Sequence, residues 1–204
     1  MEVYEQLDSS KVVLQTGGSC ANTIAAMGLM GAKVSYCGHL GSDEFGSTYA
    51  QQFVEACGEH ALLLGEGHTG KCLSLVSQDA ERTMLTDLGT SVMLPSIEHF
   101  KSVISDSQVL YSTGYLLLGD PMKSRLIEAA DFAKEQGVTI ALDVADPFVV
   151  KAVTEDMKNF IAEYCDVVFL NEEEAKAITG SEEATDAIEA LKGMCDTIVV
   201  KLGK

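Results

Sequence analysis

The 204-residue sequence has no tryptophan, only three prolines and few cations: 14 Lys plus Arg stand against 31 Asp plus Glu, a formal charge of -17. The deficit is uniform, with 5 basic and 12 acidic residues in 1–102 and 9 and 19 in 103–204. No basic patch exists, so nucleic acid and anionic membrane are excluded as partners, because both demand clustered positive charge. An anionic ligand stays open where backbone N–H groups and a metal ion hold it. No run of 18 apolar residues occurs, so no helix spans a bilayer. The opening MEVYEQLDSSK has neither the basic start nor the apolar run of a secretory signal. The cysteines at 20, 37, 57, 72, 165 and 195 form no CxxC pair, and His39, His60, His68 and His99 match no zinc spacing. Buried, reduced thiols in a cytoplasmic protein are expected, rather than a disulfide scaffold.

What is present fits a globular α/β chain: 47% hydrophobic residues, 22% charged and 18 glycines. Gly17-Gly18-Ser19 reads as a turn, with Ser19 placed to cap a small-residue helix over 20–31. Val34–Gly38 reads as a buried strand, 38–46 as a glycine-punctuated loop, and 44–57 as a helix with Phe45, Tyr49 and Phe53 on its core face. Three strand-like runs follow at 61–64, 71–77 and 82–86, read together as antiparallel hairpin material. Beyond residue 88, strand and helix alternate. Pro95 opens a helix to about Ile104, and Val109–Tyr111 is a strand. Asp120-Pro121 starts a helix that stops at Gly137. Strands at 138–142, 166–170 and 197–200 alternate with helices near 147–163, at 172–178 and at 182–192. This order predicts a mostly parallel sheet covered on both faces, with ligands bound past the carboxyl ends of its strands. Gly38–Asp43, Gly114, Asp143–Pro147, Asn171–Glu174 and 201–204 then fall on one rim.

Four groups of residues bear on chemistry. Gly17 and Gly18 let a ligand approach the backbone, and Asn22 on the first helical turn offers a donor and an acceptor to a polyol; a plain turn with an internally bonded Asn is the alternative. Gly38, Gly41, Asp43 and Gly46 (GxxGxDxxG) make a tight rim loop, either functional or structural, and match neither a dinucleotide fingerprint nor a P-loop. Asp143 at one strand end, with Asn171 and Glu174 past the next, supplies oxygens able to organise hydrated Mg²⁺ beside a polyphosphate. The simpler account of the three glutamates at 172–174 is the helix dipole. Cys72 and Met84 either pack over the flat face of a substrate or simply pack the hairpins.

The segments GGSCANTIAAMGLMGAKVSYCGHLGSDEFG, TGKCLSLVSQDAERTMLTDLG, LDVADPFVV and DVVFLNEEEA together resemble the ribokinase-like (PfkB) carbohydrate and nucleoside kinases, and ERTM with DPFVV looks most like the adenosine-kinase-like branch. The resemblance implies a three-layer α/β/α fold with a mostly parallel sheet and a small β lid. It implies that 1–204 is an incomplete PfkB kinase domain with lid hairpin segments at 61–87. It implies transfer of the γ-phosphoryl of ATP to a primary hydroxyl of a nucleoside or sugar, with Mg²⁺ as the metal. Gly17, Gly18 and Asn22 would bind acceptor hydroxyls, with Cys72 or Met84 near the base or sugar. Asn171 and Glu174 would match the family's NxxE motif and order the metal and phosphates. Asp143 would lie beside the phosphate path, and Lys201 and Gly203 would lead toward the adenine and phosphate pocket. The protein is expected to be a monomer or a homodimer. The family's GAGD-type motif, whose Asp is the general base, does not occur in this sequence, and neither does its initial strand with a substrate-binding Asp. The chain is therefore expected to be truncated at both ends and to be inactive alone. A non-catalytic binding protein or a fragment without an independent role are the competing expectations.

Overall fold

The computed structural model describes residues 12–57, 61–77, 79 and 81–202, and they fall into two compact units, 1–93 and 94–204. The first unit opens with helix α1 (Ser19–Leu29), which leads to strand β1 (Cys37–Gly41) and helix α2 (Glu44–Cys57). Strand β2 (Ala61–Gly65) pairs in parallel with β1, Cys37 opposite Ala61 and Gly41 opposite Gly65. Strands β3 (Lys71–Val76) and β4 (Arg82–Asp87) form a separate antiparallel pair. Phe53 is buried, with the rings of Tyr36 and Tyr49 stacked on it at 5.0 and 6.2 Å. The i, i+4 spacing of Tyr49 and Phe53 puts both on one helix face, as the periodicity predicts.

Three expectations of local backbone structure fail in this unit. The strand expected at 34–38 lies three residues later, so Gly38–Gly41 belong to β1 rather than to a loop. The glycines masked it: their lack of side chains reads as a turn, but pairing with β2 overrides local propensity. Residues 61–65 are not hairpin material, because they run parallel to β1. Ser19 makes no cap; Gly18 takes that position and, having no side chain, makes no cap bond.

The second unit begins with a short 3-10 turn at Glu98–Phe100 and helix α3 (Lys101–Ser105). Pro95 precedes both and opens neither. Strand β5 (Val109–Thr113) runs into a 3-10 turn at Gly114–Leu118. Helix α4 (Met122–Gln136) buries Leu126, Ala130 and Ala133, spaced for one face, and stops at Gly137 with φ 71°. Strand β6 (Thr139–Asp143), helices α5 (Pro147–Ala152) and α6 (Thr154–Tyr164), strand β7 (Val167–Asn171), helices α7 (Glu172–Thr179) and α8 (Ala184–Leu191), and strand β8 (Thr197–Lys201) complete it.

The sheet order is β5-β6-β7-β8, every pair parallel. Consecutive strand residues point to opposite faces, and Ile140, Ala141 and Leu142 are all buried. Both faces of β6 are therefore covered, the condition for a parallel interior strand. In β8 the exposed Thr197, Val199 and Lys201 alternate with half-buried Ile198 and Val200, the pattern of a strand covered on one face.

Candidate functional site

Parallel pairing in register brings the carboxyl ends of the second unit's strands to one rim. Thr113 pairs with Asp143 and Asn171 with Lys201. Gly114 follows β5 directly, and a Cβ there would lie 2.5 Å from the Val144 carbonyl oxygen and 2.6 Å from the Met157 methyl. Only glycine permits this approach of the first turn to the chain leaving β6.

Asp143 organises the centre of the rim. Its Oδ1 accepts from the Ala145 N–H at 3.0 Å, across a turn in which Ala145 has φ 83°. Backbone held in that region by a residue with a Cβ is strained and clusters at functional sites. Its Oδ2 accepts from Lys201 Nζ at 3.1 Å. Asp146 caps α5, accepting from the Phe148 N–H, with Pro147 in the first helical position.

Asn171 and Glu174 form a closed capping box. Asn171 Oδ1 accepts from the Glu174 N–H at 2.9 Å. Glu174 Oε2 accepts from the Asn171 N–H at 2.7 Å and Oε1 from Asn171 Nδ2 at 2.8 Å. The N-x-x-E spacing produces this geometry wherever a helix starts at the Asn. Glu174 is 2% exposed, although it stands in a run of three glutamates. Burial pushes its carboxyl above the ordinary value; the Asn171 N–H opposes this, Asp143 adds to it and Lys201 counters it. Burial likewise raises the half-exposed Tyr115 hydroxyl, helped by Asp146, Glu174 and Asp143. Three carboxylates, one phenol and one ammonium thus share a single electrostatic environment. Its balance is negative, which suits a cation, or an anion that arrives with one, better than a bare phosphate. Among the described residues no three His, Cys, Asp or Glu side chains converge to hold a metal directly.

The first unit carries the other candidates. Gly18 has φ 122° and Asn22 donates its backbone N–H to the Gly18 carbonyl at 2.8 Å. Gly17, Gly18 and Asn22 are all exposed, and the Tyr49 hydroxyl donates to the Gly17 carbonyl at 3.0 Å. Cys72 pairs across the hairpin with Thr86 and Ser74 with Met84, so Cys72 and Met84 share one face. Cys72 is exposed rather than buried, with Thr86 Oγ1 donating to its sulfur at 3.4 Å; the expectation of a buried thiol fails there because no described residue covers that face of the hairpin. Cys165 is buried, and Cys20, Cys37 and Cys195 are partly so. Gly203 lies outside the described residues.

The GxxGxDxxG segment is a packed joint. A Cβ at Gly41 would lie 2.5 Å from the Gly67 carbonyl, and one at Gly46 2.1 Å from the Gly41 carbonyl. Asp43 Oδ1 accepts from the Gly46 N–H at 2.9 Å and so caps the start of α2. It also accepts from Thr69 Oγ1 at 2.5 Å, and its Oδ2 from the Thr69 N–H at 3.0 Å. No local signal in the sequence marks Thr69. No local signal marks Tyr115 either, whereas Asp146-Pro147 ahead of an apolar run is a helix-start signal.

In open parallel α/β sheets ligands bind past the carboxyl ends of the strands, the edge where this chain gathers Asp143, Asn171 and Lys201. The profile of the pfkB family of carbohydrate kinases matches residues 3–204, and the chain belongs to that family. It is 26% identical to the guanosine-inosine kinase of Escherichia coli strain K12 over 141 residues, 68% of this chain and 32% of that protein. It is 26% identical to the ribokinase of Haemophilus influenzae over 213 residues, 98% of this chain and 64% of that one. The adenosine kinase structure from Sinorhizobium meliloti superposes with a TM-score of 0.87 at 30% identity, over 99% of this chain and 62% of that chain. The ribokinase-like fold and a likeness to the adenosine-kinase-like branch follow. The chain spans between about a third and two-thirds of the length of these relatives.

Proposed function

We propose that these residues are the acceptor-binding and phosphate-ordering part of an ATP-dependent phosphotransferase acting on a primary hydroxyl of a ribose-bearing nucleoside. The observation that carries this reading is the rim itself, with Asp143, Lys201 and the Asn171–Glu174 box on the ends of neighbouring parallel strands. Lys201 would meet the phosphates, and Asp143 would hold it there until they arrive. Gly203 would continue the same path. Both Glu174 oxygens already accept hydrogen bonds, so Asn171 and Glu174 would hold Mg²⁺ through water, the mode that ion favours. Mg²⁺, when bound, neutralises charge on the transferring phosphoryl group.

Exposed Gly17, Gly18 and Asn22 would take the sugar hydroxyls, and the hairpin within 61–87 would close over them and exclude water. The face shared by Cys72 and Met84 would lie against the base or sugar, which supports a nucleoside. No GAGD segment occurs in the sequence, and loss of a positioned base costs about 10²–10⁴-fold. Residues 1–204 taken alone are therefore proposed to bind and not to transfer. Six cysteines without a CxxC pair agree with a reducing cytoplasm, and the protein is proposed to be a monomer or a homodimer. A free-sugar acceptor is the second reading, favoured by similarity to a ribokinase along 98% of this chain.

The test is phosphoryl transfer from ATP by the intact gene product to adenosine, guanosine, inosine, ribose and fructose. A nucleoside kcat/KM at least about tenfold above either sugar is expected, the discrimination of roughly one well-filled pocket contact. Preference for ribose or fructose selects the second reading. No transfer to any of the five sinks both.

A further inference from the structure

The β3–β4 hairpin is held by its root rather than by its faces. Every described residue of β4 is exposed, and only Leu73 and Leu75 of β3 are half-buried. Each strand has six residues, so the hairpin is a lever about 20 Å long at roughly 3.3 Å per residue. A tilt of about 10° at its base moves its tip by about 3.5 Å on that length. The groups that fix the base therefore decide where the hairpin points.

That base is rich in glycine. Gly67 has φ 117° and Gly89 has φ 49°, and a Cβ at Gly70 would lie 2.6 Å from the Leu88 carbonyl. Between Gly67 and Gly70 sits Thr69, 3% exposed. Its side chain and its N–H both donate to the carboxylate of Asp43, at 2.5 and 3.0 Å, and its Oγ1 accepts from the Gly41 N–H at 3.1 Å. Asp43 sits between β1 and α2, and Gly46 N–H ties the same carboxylate to α2. Lys71, the first residue of β3, stacks its ammonium 4.3 Å from the centre of the Phe45 ring on α2. Across the root, His68 Nε2 lies 2.9 Å from Asp87 Oδ1 at the end of β4.

We propose that Asp43 is a positioning residue that latches the root of the β3–β4 hairpin, through Thr69, onto the β1–α2 joint and so sets the angle at which the hairpin meets the acceptor. The latch acts through Thr69 and touches no substrate. It rests on the reading of the hairpin as a lid, and the test separates the two.

The experiment is hydrogen exchange and steady-state kinetics on the intact protein with Thr69→Val and Thr69→Ser. Thr69→Val deletes the hydroxyl but leaves the Asp43 cap on α2, whereas Thr69→Ser keeps the hydroxyl. A hydrogen bond to a carboxylate stabilises by enough to shift an opening equilibrium about tenfold or more. Thr69→Val is therefore expected to speed exchange of the hairpin amides (71–77 and 82–87) about tenfold and to raise the KM for adenosine with little change in kcat. β1, β2 and α2 should exchange as before, and Thr69→Ser should restore both readouts. Unchanged hairpin exchange in Thr69→Val, or acceleration spread evenly over the whole unit, overturns the latch. Faster hairpin exchange in Thr69→Val, with no slowing of wild-type exchange by saturating adenosine, upholds the latch and removes the lid.

Discussion

The Lys201 ammonium lies 3.1 Å from the Asp143 carboxylate and ties the end of β8 to the end of β6 across the intervening strand β7. The lysine side chain is 53% exposed and the aspartate 19%. A cation so exposed gains little by pairing, yet the pairing keeps it at the rim rather than in solvent. Asp143 also holds the Ala145 turn, so one carboxylate sets both the strained loop and the cation.

Lys201→Ala should separate stability from phosphate binding. The exposed pair contributes less than about 1 kcal/mol, so the urea midpoint should barely move. The KM for ATP in the intact protein should rise about tenfold, the loss of one charge-assisted hydrogen bond. An unchanged KM for ATP removes Lys201 from the phosphate path.

Glu174 gives a pH signature. Its carboxyl is raised from the ordinary 4.5, chiefly by burial. Above 4.5 the unfolded chain releases this proton first, while the folded chain still holds it. The folded state then binds more protons, so its stability falls as pH rises from about 4.5 through the raised folded value. Glu174→Gln should abolish that fall. It should also cost about 1–2 kcal/mol, because the new amide sets an N–H against a donor of Asn171. Unfolding free energy measured from pH 4 to 8 reads both; an unchanged slope means that Glu174 titrates as an exposed residue.

Asp43 should behave in the opposite sense. Desolvation raises it, but hydrogen bonds from Thr69 Oγ1, Thr69 N–H and Gly46 N–H outweigh that and bring it below the ordinary 3.8. Its contribution is complete above 3.8 and is lost as pH falls through the lower folded value. Asp43→Asn should therefore flatten the acid limb of the unfolding curve below about pH 4. An acid limb identical to wild type contradicts the geometry at Thr69.

Gly114→Ala should destabilise by about 2–3 kcal/mol, since the new methyl meets a backbone oxygen that cannot swing aside. A loss under about 0.5 kcal/mol in chemical denaturation shows that the turn relaxes at little cost.

Gly17 and Gly18 can be told apart. Among the described residues, and apart from its chain neighbours, no atom lies within 4 Å of a Cβ built at Gly17, whereas Gly18 has φ 122°. Gly18→Ala should cost about 1–3 kcal/mol through backbone strain. Gly17→Ala should stay within about 0.5 kcal/mol of wild type and still weaken acceptor binding, measured by calorimetry with adenosine. Unaltered adenosine affinity in Gly17→Ala removes this turn from the acceptor site.

Much of the second unit is legible in the residue order. Gly137 and Gly180 stop helices where their left-handed backbone is required, and the apolar strands between them show up as short buried runs. The Asn171–Glu174 box is a local motif and follows from spacing. Its burial does not, because nothing in Glu172-Glu173-Glu174 says which carboxylate turns inward; the packing of α7 chooses it. The shift of β1 has the same origin. Its glycines look like a loop until β2, a distant segment, supplies the hydrogen bonds.

Periodicity, helix stops and capping spacings act over a few residues, so the alternation of strands and helices, the parallel sheet and the N-x-x-E box can be read from the chain alone. The Asp143–Lys201 pair joins residues 58 positions apart, and the Asp43–Thr69 latch joins residues 26 apart. Contacts at that separation carry no periodic mark. They exist because strand register and glycine-permitted backbone approach bring the two partners together, and only the folded chain supplies both.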